Sequence, residues 1–176
     1  MSRNFAICIS RATVRRRRTR TGTQRSQPEM MARLERDIHD AFRDLFEAKK
    51  FRKTFEHYDD QHFGNEVLMY ASPELALKFV RDRGEILLDV GPPDGTSWYM
   101  APRLYEYLRI ASNAYGPADS ALLRRHAHLL SENYDRISDL FIPERLAATE
   151  TELRKFWKLN AEEMFPSDGV GEYGPH

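Results

Sequence analysis

The sequence predicts an α+β domain in which an antiparallel four-stranded meander sheet is preceded by one helix and followed by about three helices packed on one face. Three observations lead there. Residues 74–91 contain two runs of alternating residues around the charged turn Asp82-Arg83-Gly84, with Leu75, Leu77 and Phe79 on one face of the first run and Ile86, Leu88 and Val90 on one face of the second. That is the pattern of a β-hairpin, and Gly84 is free to take the positive φ such turns use. Apolar residues at helical spacing flank this region on both sides. The connections between the candidate strands are short, which makes neighbours antiparallel.

In chain order, residues 1–29 come first and read as a disordered basic head: eight Arg, including the run Arg15 to Arg18, against the single acid Glu29, with no period able to bury a face. Met30 and Met31 stand directly before a helical pattern, so the natural start can be Met1, Met30 or Met31; a head that belongs to the mature protein would be a basic arm or a targeting segment. A single domain is expected over residues 30–166. Its first helix is marked by Leu34, Ile38, Phe42, Leu45 and Phe46, and Lys49, Lys50, Arg52 and Lys53 cluster where its C-terminal pole lies. Strands follow at Arg52 to Tyr58, Asn65 to Ala71, Leu75 to Arg81 and Glu85 to Val90, separated by Asp59-Asp60, Ser72-Pro73 and the charged glycine turn. Lys78, Glu85 and Asp89 point away from the apolar face, so one side of the sheet can meet water.

Gly91-Pro92-Pro93-Asp94-Gly95 breaks the sheet ahead of the compact apolar patch Trp98-Tyr99-Met100. Helical spacing resumes from Leu104 to near Asn113. A further helix is expected from Asp119, its N-cap, to about Leu140, and a last one from Pro143 to Met164, with residues 167–176 frayed.

Charge divides the chain. Residues 30–176 carry nineteen Lys and Arg against twenty-six Asp and Glu, so an acidic body would repel a phosphate backbone, and nucleic-acid binding would rest on the head alone. The lone Cys8 rules out a disulfide framework and fits a reducing cytoplasm, and no segment is long and apolar enough to span a membrane. No cofactor is expected, since no glycine-rich phosphate loop or nucleophile elbow occurs. His57 and His62, with Asp59 and Asp60 between them, have ligand types suited to zinc but not a recognised spacing, and an ordinary solvated turn is the better reading. His126 and His128 point to different helix faces, one packed and one exposed. Trp98 and Tyr99, with Asp94 and Asp89 nearby and the hairpin-tip charges Arg81 and Arg83, have the composition of a partner-binding patch.

Residues 63–99, with the runs FGNEVLMYAS and LKFVRDRGEILLDVGPPDGTSWY, resemble the hairpin core of small uncharacterised bacterial proteins, some of which resemble immunity proteins associated with polymorphic toxins. The resemblance implies a non-catalytic protein that neutralises a basic toxin by covering it, with Trp98 and Tyr99 as anchors and Asp89 and Asp94 around them. It assigns no catalytic residue. Two other readings stand beside it: a scaffold or regulatory module that binds through the C-terminal helices, and a small metal-dependent hydrolase built on His57 and His62.

Overall fold

The computed structural model describes residues 27–59, 65–83, 85–110, 114 and 119–164. Helix α1, Gln27–Lys49, carries Leu34, Ile38, Phe42, Leu45 and Phe46 as a fully sealed stripe, as helical spacing requires. Lys50 then takes φ 60, and the chain turns into β1, Arg52–Asp59. Strands β2, Asn65–Ala71, β3, Ala76–Asp82, and β4, Glu85–Gly91, continue the meander. A two-residue strand, β5, Tyr99–Met100, joins the far edge, giving one antiparallel sheet in the order β1-β2-β3-β4-β5. The α+β architecture expected from the sequence is thus observed, extended by this short edge strand.

The remaining chain is helical. Helix α2, Ala101–Tyr107, starts and stops earlier than the periodicity suggests: Pro102 suits its first turn, and Arg109 at φ 54 reverses the chain after it. The long helix expected from Asp119 to Leu140 is three pieces: α3, Ser120–Glu132, α4, Tyr134–Ser138, and a 3-10 turn, Asp139–Phe141. The break falls at Asn133, which sits at φ −119 while its amide side chain donates to the Leu129 carbonyl, 3.0 Å away. Asp119 caps α3 as expected, its Oδ1 accepting from the Ala121 and Leu122 amides at 3.0 and 2.9 Å. Helix α5, Pro143–Met164, closes the fold.

One face of the sheet is sealed by these helices. Leu68, Tyr70, Leu77, Phe79, Leu88 and Val90 lie in register across β2, β3 and β4 and are all 2 % exposed or less. Phe42 meets Phe79 edge-on at 5.1 Å between ring centroids, and Phe46 packs on Tyr70 at 4.7 Å, so α1 lies directly over the central strands. Tyr99, at the far edge on the same side, packs on Phe141 and Trp157 of the C-terminal segment.

Candidate functional site

Strand alternation sends every second side chain to the opposite face. Phe55 and His57 of β1, Val67 and Met69 of β2, Lys78 and Val80 of β3, Leu87 and Asp89 of β4 and Met100 of β5 share that face by register. None of them is buried: Phe55 is 46 % exposed, Leu87 39 % and Met100 42 %. Among the described residues the exposed large apolar side chains are these three together with Ile142 and Leu159 on the helical side, so most of them gather on one strand layer. Contiguous apolar surface of this kind is uncommon on monomeric domains, which makes this sheet face the candidate contact surface.

Its one central charge pair is self-contained. Lys78 and Asp89 are directly cross-strand, and Nζ lies 2.8 Å from Oδ2, with each side chain about four-fifths covered. The same Nζ sits 4.7 Å from the centroid of the Trp98 ring, so the indole roofs one end of the pair. Trp98 reaches this position because Gly91 has no side chain: a Cβ there would run into the Ser97 carbonyl and the indole. Gly95, at φ 69, completes the turn beneath the same ring.

The sequence candidates divide between the two faces. Asp89 and Trp98 come together across Lys78 on the open face, whereas Tyr99 points the other way into the core at 8 % exposure. Trp98 and Tyr99 therefore do not form one patch. Asp94 is a local turn residue, its Oδ1 accepting from the Thr96 amide and hydroxyl at 3.1 and 2.9 Å. Arg81 turns to the sealed side, and Arg83 stays exposed at the hairpin tip, where it, at φ 49, takes the left-handed conformation; Gly84 lies outside the described residues. His57 stands beside Phe55 with ring centroids 6.3 Å apart, and His62 and Asp60 lie outside the described residues. Among the described residues no group of three or more His, Cys, Asp or Glu is placed to hold a metal ion.

The sealed face has a polar corner that composition did not reveal. Glu66 of β2 is fully buried, Arg81 Nη1 approaches its carboxylate at 3.4 Å, and neither carboxylate oxygen accepts a hydrogen bond from the described residues. Burial pushes its carboxyl up to about 7; Arg81 pulls it down, while Glu56 and Glu35 push it further up. Further along the same side Lys53, opposite Tyr70, donates to both Glu35 and Glu56 at 2.8 Å, and those two hydrogen bonds hold its ammonium well above the usual lysine range. The Tyr70 hydroxyl, buried without a partner among the described residues, is raised to about 12 chiefly by desolvation. On the helical side His126 packs against Tyr105, whose hydroxyl lies 3.3 Å from Nδ1, and burial lowers the imidazole to about 4, helped by Arg125. His128 is exposed beside Glu132, so the two histidines behave as their spacing requires.

A perturbed carboxyl marks many active sites when it lines a cleft. Two clefts among the described residues are lined by groups named above. One, of about 300 Å³, lies between α1 and the start of β1 and is bordered by His39, Phe46, Phe51 and Tyr70. The other, of about 270 Å³, lies beside β4 and is bordered by Ile86, Leu88, Pro102 and His126. Glu66 borders neither, and its burial beside Arg81 on the sealed side accounts for its displaced proton affinity.

Comparison with protein-family models, with curated proteins and with solved structures finds no match to this chain. Fold and surface therefore define its class: an α+β domain with one sheet face sealed by helices and the other open. No helix among the described residues is long and apolar enough to cross a membrane.

Proposed function

We propose that the chain is a non-catalytic protein-binding domain and that the open sheet face is its docking surface. One observation carries this reading: helices cover one side of the sheet to near-zero exposure, while on the other side Phe55, Leu87 and Met100 remain in water around a neutralised Lys78–Asp89 pair. Exposed apolar area of this kind is costly to keep unless a partner removes it from water. In the immunity-protein form of the reading the partner is a basic toxin. Support for that form comes from the excess of acid over base in residues 30–176 and from Asp82 and Glu85 at the rim of the face.

The scaffold reading would place the interface on the C-terminal helix instead, and Ile142 and Leu159, exposed at 39 % and 60 %, favour it. One experiment separates the two. Affinity capture with the tagged full chain, followed by calorimetry with the captured protein or with the product of an adjacent toxin gene, is repeated with Leu87→Lys and with Leu159→Lys. Loss of binding in Leu87→Lys alone supports the open face; loss in Leu159→Lys alone moves the interface to the helices.

A further inference from the structure

Three properties of the open face narrow what can cover it. Its centre, at Val67, Met69 and Val80, is a strand surface that lines neither of the two clefts described above. Its central charges neutralise each other within the chain, so covering them leaves no unpaired ion behind. Along β1 it carries Arg52 at one end and Asp59 at the other, both on the open side by their register with Ala71 and Asn65.

A flat apolar sheet face is sealed most simply by another, two sheets packing about 10 Å apart with their strands within about 30°. Resting on the protein-binding reading above, we propose that the occupant is a second copy of this chain, packed face to face about a twofold axis that runs across the strands. That axis lays β1 of one copy over β1 of the other in reversed direction, bringing Arg52 of each against Asp59 of the other, while the valine and methionine centres meet. Four strands about 4.8 Å apart and seven or eight residues long, with the two-residue β5 at their edge, present roughly 500 Å² per copy, so a pair buries roughly 1,000 Å², at the lower edge of a specific interface. The dimer is therefore weak and concentration-dependent.

Sedimentation velocity of the full chain, with reductant present to keep Cys8 from cross-linking, tests it over about 1 to 500 μM. The expected result is a shift from monomer to dimer within that range, weakened at least about tenfold by Val80→Asp and by Leu87→Lys. Far-UV circular dichroism should stay unchanged in both variants, and Ile142→Lys on the helical side should leave the shift intact. A monomer at every concentration overturns the proposal, as does a dimer that persists unchanged in both face variants. A monomer whose capture of another protein is lost in Leu87→Lys overturns the second copy while preserving the protein-binding reading. A monomer for which neither face variant alters any capture removes both.

Discussion

Replacing Glu66 with Gln tests the electrostatics of the sealed corner. The carboxyl lies at about 7 in the folded chain against 4.5 for the free group, because burial disfavours its charged form more than Arg81 favours it. The folded state thus keeps a proton that the unfolded chain has released. This makes stability greatest below pH 4.5, with a progressive loss as pH rises through the window up to about 7 and no further loss beyond it. At about 1.4 kcal/mol per pH unit, the separation between 4.5 and about 7 corresponds to about 3 kcal/mol. Gln keeps the shape and removes the titration. It leaves Arg81 beside a neutral amide, as the protonated carboxyl of the folded parent does below about pH 7, and the pull of Arg81 on the charged form is already contained in the value of about 7. Glu66→Gln should accordingly be more stable than the parent by up to about 3 kcal/mol at pH 8, and close to the parent near pH 4.5. Urea unfolding of both proteins at the two pH values, with equal denaturant slopes, measures the difference directly. A variant less stable than the parent at pH 8, or a parent-to-variant difference that does not change with pH, would refute the reasoning.

His126 should act with the opposite sign. Its imidazole is held neutral at about 4 against 6.5 when free, so its contribution is present above pH 6.5 and is lost as pH falls towards 4, by up to about 3 kcal/mol. In His126→Gln that acid-side loss should vanish, which acid unfolding followed by near-UV circular dichroism would show. Asp119→Ala removes the acceptor shared by the Ala121 and Leu122 amides and should cost about 1 kcal/mol by urea unfolding, with Asp119→Asn recovering most of it.

The sealed half of the fold was legible because burial writes a period into sequence. The α1 stripe and the Leu77, Phe79, Leu88 and Val90 alternation follow directly from turns of 3.6 and 2 residues. The fifth strand was not legible, since two residues carry no period. Nor was the break at Asn133, because Tyr134 and Ile137 resume apolar helical spacing immediately after it. For the candidate site, the Lys78–Asp89 pair follows from Asp82 standing opposite Glu85, whereas a turn spread over Asp82-Arg83-Gly84 leaves that register one residue away. A stronger signal lies in the alternate phase, which is apolar too at Val67, Met69, Val80 and Leu87. Tyr99 was assigned to Trp98's patch by adjacency, and a strand sends adjacent side chains to opposite sides.

The placement of Trp98 also equips the molecule with an optical reporter. The two indoles sit in different settings, Trp98 beside the Lys78 ammonium at the margin of the open strands and Trp157 stacked on Tyr99 behind them. With Trp157 replaced by Phe, the remaining emission comes from the indole beside Lys78 on the open face. Anything that settles there displaces water from around it and shifts its fluorescence to the blue, so an occupant could be titrated without a label.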